Sequence, residues 1–119
     1  MNADAFRSLA LSMPEATEVG HMGHPDFRVG GKIFATLAAP DPTFAMVKLH
    51  PDQQEAFVSA EPAVFVPVKG GWGLKGATNV RLWPARAKSV KMALAMAWRN
   101  TAPPRLAAKI TLDSPSGKP

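Results

Sequence analysis

Residues 3–13 place Phe6, Leu9, Ala10 and Met13 at i, i+3, i+4 and i+7, one apolar stripe that predicts an amphipathic helix stopped by Pro14. Ala16-Thr-Glu-Val19 alternates weakly and reads as a short strand leading into the loop Gly20-His-Met-Gly-His24. Two β-prone runs then flank Gly30-Gly31, which predicts a tight hairpin across His24–Leu37. A two-residue type I′ turn sets Phe27 opposite Phe34, whereas a three-residue loop groups Ile33, Ala35 and Leu37 with Phe27. The glycine pair favours the first register.

Pro40-Asp41-Pro42 interrupts the sheet and Phe44–Leu49 resumes it as a further strand. Pro51 opens a helix that runs to Ala60, with Asp52 and Glu55 in its first turn and Ala56 and Phe57 as its packing residues. Val64–Val68 and Asn79–Trp83 are β-like, and the intervening Lys69–Gly76 is too glycine-rich for regular structure. Residues 86–100 form the best helix: Val90, Leu94 and Ala97 mark its inner face, Trp98 its edge, and Lys88, Lys91 and Arg99 another side. Past Asn100 the periodicity stops, and Pro103-Pro104 with Ser114–Pro119 predict a disordered segment. The order α-β(3-4)-α-β(2)-α predicts a two-layer α+β domain, an antiparallel sheet with helices on one side. That domain spans residues 1–102, followed by a flexible basic tail over 103–119.

A length of 119 residues with 46% hydrophobic content suffices for one core. The absence of cysteine removes disulfides, thiolate metal sites and cysteine nucleophiles, and it fits a reducing compartment, so the cytoplasm is the expected location. No apolar run approaches the roughly 20 residues that span a bilayer, and no membrane partner is expected. The net charge of +5 is unevenly placed. Residues 1–80 hold six basic against eight acidic side chains, a net of −2, while residues 81–119 hold eight basic against Asp113 alone, a net of +7. Such asymmetry is the footprint of a protein that meets polyanions, and a solvated helix with a basic tail produces it too.

Three clusters invite chemistry. His21, His24 and Asp26 form a His-x-x-His-x-Asp loop whose donors suit zinc, but a fourth ligand is missing and Pro25 points to turn construction, so no metal is assigned. Gly71-Trp-Gly-Leu-Lys-Gly76 matches the dinucleotide-binding Gly-x-Gly-x-x-Gly, yet a strand rather than a helix follows it, which removes the helix N-terminus that would face a pyrophosphate. The same basic loop can hold Trp72 between Lys69 and Lys75 to touch phosphates and stack on a base; because large aromatics are mostly buried, Trp72 is instead expected to cap the core. Ser8, Ser12, Ser59 and Ser89 lack a nucleophile setting and the carboxylates are scattered, so no catalytic residue and no cofactor is assigned, and the chain is not expected to be an enzyme. The basic set Arg81, Arg86, Lys88, Lys91 and Arg99, with the tail residues Arg105 and Lys109, is the strongest binding candidate. Met92 and Met96 beside it offer an adaptable apolar patch for a protein partner or self-association.

The hairpin His24–Leu37, the strand Met46-Val-Lys-Leu49, the segment Gly71-Trp-Gly73 and the ending Ala97-Trp-Arg-Asn100 together resemble the MmcQ/YjbR family over about residues 3–104. The resemblance implies a small α+β domain similar to secretion chaperone-like and frataxin-like arrangements, and a DNA-binding role with no catalytic residues to carry across. The resulting expectation is sequence-independent DNA binding through Lys69, Trp72, Lys75, Arg81, Arg86, Lys88, Lys91 and Arg99. The alternative is a chaperone-like protein-interaction module, dimeric and without a nucleic-acid role.

Overall fold

The computed structural model describes residues 1–20 and 23–109. Helix α1 (Ala3–Leu11) is capped by the Asn2 side chain, which accepts from the Ala5 amide at 2.8 Å. Four strands follow, β1 (Thr17–Val19), β2 (Asp26–Val29), β3 (Lys32–Leu37) and β4 (Phe44–Lys48), then helix α2 (Pro51–Ala60) and strand β5 (Phe65–Pro67). A single helical turn, α3 (Gly71–Leu74), precedes β6 (Ala77–Arg81), and the chain continues through the long helix α4 (Ala87–Thr101) to the short α5 (Pro104–Ala107). All neighbours in the six-stranded sheet are antiparallel, in the order β1-β2-β3-β4-β6-β5. The α+β architecture and the order of its main helices and strands are those expected from the hydrophobic pattern, with the short α3 and α5 as additions.

The register assigns each side chain to a face, because side chains alternate across a strand. Leu37, Ala45, Val80 and Phe65 lie in one cross-strand row, and all are buried against the helices. The next row, Asp26, Thr36, Met46, Asn79 and Val66, points the other way. Helix α4 packs on β3 and β4 through Val90, Ala93, Leu94, Ala97 and Trp98, and α1 and α2 lie on the same side. Small Ala93 and Ala97 let the helix approach the sheet closely.

Several local expectations are corrected. The two-residue turn expected at Gly30-Gly31 is present, since Val29 pairs with Lys32 and both glycines have positive φ, 60° and 80°. A bulge between Phe27 and Arg28 then shifts the register, so Phe27 faces Ala35 rather than Phe34. The bulge keeps both Phe34 and Ala35 in the core, and Phe27 finds its aromatic neighbour in Phe6, with ring centroids 6.2 Å apart. In α2, Ala56 is exposed; Phe57 packs on Phe65 at 5.0 Å, with Val58 beside it. Trp98, expected at the helix edge, is fully buried and its indole Nε1 donates to the Pro14 carbonyl at 2.9 Å.

The segment after Asn100 also departs from expectation. Residues 103–109 do not start a structureless tail: α5 docks on α4 and buries Leu106 to 1% exposure. The remainder of the expected tail lies outside the described residues. Because Leu106 sits in the core cluster, Leu106→Ala is expected to lower the unfolding free energy by about 2–4 kcal/mol, the usual cost of emptying a buried leucine site. Urea denaturation checks this; a change below about 0.5 kcal/mol would show that α5 does not belong to the cooperative core.

Candidate functional site

Among the described residues no helix crosses the middle of the sheet's outward face, and the side chains there are a mixture of apolar and cationic. Phe44, Met46 and Lys48 of β4 share this face with Asn79 and Arg81 of β6, Thr36 and Ile33 of β3, and Val66 of β5. They floor a concave groove of about 760 Å³, closed at one side by Val68, Lys69 and Trp72 and at another by Ala39 and Pro40. This volume falls within the range of small-ligand sites.

Trp72 is held over the groove by backbone packing. A Cβ on Gly73 would sit 1.6 Å from the Val68 carbonyl oxygen, so α3 lies directly against that strand end. Gly76, at φ +111°, passes so near Leu49 that a Cβ there would sit 2.0 Å from its carbonyl oxygen. The Gln54 amide Nε2 donates to the carbonyls of Gly73 at 3.0 Å and Ala77 at 2.9 Å, fastening α3 and β6 to α2. The rigid floor is tied in turn to α4: Asn100 Nδ2 donates to the Lys48 carbonyl at 3.2 Å and to Gln53 Oε1 at 2.7 Å. The glycine-rich segment is thus an ordered turn and not the irregular loop expected.

Trp72 is 65% exposed and does not cap the core, which corrects the expectation from aromatic burial. The Lys48 and Lys75 ammonium groups approach its ring at 5.4 and 5.9 Å, and the Arg81 guanidinium lies 6.0 Å from the Phe44 ring. Phe44 and Lys48 are four residues apart on one strand, so the two ends of the groove are separated by about 13 Å. Each end carries an aromatic ring with a cation against it. The four cations Lys48, Lys69, Lys75 and Arg81 have no ion-pair partner among the described residues.

The sequence-predicted binding set divides between two surfaces. Lys69, Trp72 and Arg81 line the groove, and Lys75 lies against the Trp72 ring. Lys88, Lys91 and Arg99 are exposed on α4, whose inner face packs on the opposite side of the sheet, and Arg86 lies at its N-cap. The expected set, a basic helix together with the Gly-Trp-Gly segment, therefore lies on two surfaces of the domain. Met92 is 51% exposed beside the α4 cations, while Met96 is half-buried. Sequence reasoning missed Phe44, Lys48 and Asn79. The alternation Phe44, Met46, Lys48 against Ala45, Val47, Leu49 carried the signal, but both sets contain apolar residues and only pairing partners reveal which set faces outward.

The histidine loop offers little to a cation. His24 Nδ1 lies 2.8 Å from the Ala38 carbonyl, and the Asp26 carboxylate is engaged by Arg28 at 2.8 and 3.2 Å. His21 lies outside the described residues, and no group of three metal-ligating side chains occurs among the described ones.

A family model described as YjbR matches residues 11–100. The chain belongs to the YjbR family. Its fold is similar to the crystal structure of Deinococcus radiodurans protein DR2400, which carries a DUF419 domain, with a TM-score of 0.72 at 16% identity. That likeness covers 99% of this chain and 95% of the other. No curated protein matches the chain. The YjbR match spans β1 to the end of α4 and so contains the whole groove, Trp72 and Asn100 included.

The glycines of the Trp72 turn are not equivalent. A Cβ on Gly71 meets nothing within 4 Å, so Gly71→Ala is expected to change stability by less than about 1 kcal/mol. Gly73→Ala must push α3 off Val68 and is expected to cost about 1–3 kcal/mol or more and to change the fluorescence of Trp72. Denaturation monitored by tryptophan emission separates the two; equal effects would mean that α3 does not pack against Val68.

Proposed function

We propose that this YjbR protein binds single-stranded nucleic acid on the open face of its sheet. The observation that carries the reading is the arrangement of Trp72 and Phe44 at opposite ends of a groove lined by Lys48, Lys69 and Arg81, with Lys75 against the Trp72 ring and none of these cations ion-paired among the described residues. Bases offer flat π faces that stack on aromatic side chains, and phosphates are neutralised by lysine and arginine with release of counterions. A sheet surface bearing aromatics is a known way to display unstacked bases to a protein. Stacking on Trp72 requires a base free of its duplex neighbours, which favours a single strand over a double helix. The proposal is for a binding protein and involves no chemical step.

The α4 cations are given no part in this contact, since they lie on the far layer from the groove. Met92 and the exposed Trp83 and Leu74 leave room for the competing reading, a protein-interaction module. Its signature is association whose strength does not fall with salt.

Fluorescence anisotropy of labelled single- and double-stranded oligonucleotides at several salt concentrations tests the proposal. Single strands are expected to bind more tightly, with affinity falling steeply as salt rises. Trp72→Ala is expected to weaken binding about 10-fold, consistent with about 1–3 kcal/mol per stacked base. Lys48→Ala and Arg81→Ala are each expected to reduce the logarithmic salt slope by about 0.7, and Lys88→Ala/Lys91→Ala to leave single-strand binding unchanged apart from a small general effect. Absence of single-strand binding at low salt overturns the proposal, and so does duplex binding that depends on Lys88 and Lys91 instead of Trp72.

A further inference from the structure

Strand β6 alternates between the two layers: Ala77, Asn79 and Arg81 line the groove, while Thr78 and Val80 are buried on the helical side. The alternation continues past the end of the strand. Leu82 is buried, and its amide donates to the Thr43 carbonyl at 3.0 Å, so the chain there still runs beside the start of β4. Trp83 comes next, with the outward parity, and is 84% exposed. Ala85 is buried again, and its amide closes a turn onto the Leu82 carbonyl at 3.1 Å. Trp83 is therefore held out between two anchored residues. A side chain of this size is ordinarily mostly buried, so its exposure leaves in water a large apolar surface that the fold does not use.

Three rings then follow one another along the paired strands β4 and β6. Trp72 lies against Lys48, the partner of Ala77; Phe44 lies against Arg81, its own partner; and Trp83 stands two residues beyond Arg81. Six residues of nearly extended chain, about 20 Å, separate Ala77 from Trp83. The charge of this region suits a polyanion, for no acidic residue occurs between Glu61 and Asp113. Asp41, on the loop before β4, ties its carboxylate to the amide of Thr43, at 2.8 Å, and to its hydroxyl.

We infer that Trp83 is a third stacking platform, and that a single strand bound in the groove continues past Phe44 onto it. This rests on the open-face reading above and extends the site beyond the groove, along the line of β6. Each base that finds a ring adds affinity whatever its identity, because every base has a π face. A strand long enough to pass all three rings therefore binds more tightly than one that spans the groove alone.

Anisotropy and tryptophan-emission titrations with dT strands of four and twelve nucleotides test the inference. Trp83→Ala is expected to weaken binding of the longer strand about 10-fold, within the range for one stacked base, and Trp83→Phe, which keeps a ring, to retain most of the affinity. Thermal melting checks that both variants remain folded, and Met92→Ala, on the other layer, serves as the surface control. The chain has three tryptophans and Trp98 is fully buried, so Trp72→Phe leaves Trp83 as the one exposed indole. Its emission is expected to be quenched by the twelve-nucleotide strand. If Trp83→Ala binds that strand like the wild type, or if the bound strand leaves the Trp83 emission unchanged, the Trp83 inference falls, while the open-face reading stands as long as binding depends on Trp72. Salt-insensitive self-association that disappears in Trp83→Ala also overturns the inference, because it assigns the ring to a protein contact. If neither strand binds, both fall.

Discussion

A six-stranded sheet has two faces, and the described residues supply helical apolar surface for only one of them. The inner face is closed by α1, α2 and α4, with Trp98 at the centre and Leu106 sealing the end of α4. Helix α4 reaches the strands because Ala93 and Ala97 are small, and its register is fixed by two polar clamps. Trp98 bonds the Pro14 carbonyl after α1, and Asn100 bonds the Lys48 carbonyl at the end of β4. Once those bonds and the Leu37–Ala45–Val80–Phe65 row are satisfied, the outward row has nothing from the helical layer to bury it. The groove follows from that one-sided coverage.

Two of the four segments that carried the family resemblance act on this constraint in different places. Ala97-Trp-Arg-Asn100 works on the covered side, as packing and clamp. Gly71-Trp-Gly73 works on the open side, where its second glycine permits a backbone approach that any Cβ would block, and so sets Trp72 above the floor. A glycine-rich stretch is often read as slack, but here the lack of side chains lets α3 pack tightly. Gln54 then fastens it with two hydrogen bonds. Exposure of Trp72 is consequently a property of a well-supported turn.

Much of the fold was legible because it rests on short-range patterns. The 3,4 spacing of Phe6, Leu9, Ala10 and Met13, the proline at the start of α2 and the glycine pair of the hairpin each express local physics. What was hidden depends on partners distant in sequence. The bulge that sets Phe27 against Ala35 arises because Phe34 and Ala35 both have places in the core, which the two strands alone do not reveal. Trp98 was misplaced by one step around the helix because its Pro14 acceptor lies 84 residues away. Leu106 stands among prolines and charges without a periodic partner, so nothing local marks it as a core residue. The basic residues were correctly noticed as a group, but charge counts carry no information about layers, and the sheet lies between the two halves of that group.

That division bears on how a polyanion can use the surface. A cation contributes most where its phosphate is held at short range, because beyond roughly 10 Å exposed charges are screened at ordinary ionic strength. Lys48, Lys69 and Arg81 meet this condition in one groove that also supplies aromatic faces, and Lys75 adds its charge beside the Trp72 ring. Lys88 borders only a smaller hollow of about 340 Å³ with Glu61, Arg86, Ser89 and Met92, no cation–π contact among the described residues involves Lys88, Lys91 or Arg99, and the sheet lies between these cations and the groove. Their field adds to the overall positive potential that draws a polyanion near, a long-range effect on encounter more than on the bound state. On the proposed reading, short-range recognition is then left to the side of the sheet where rings and cations converge, since there, among the described residues, a base as well as a phosphate finds matching groups.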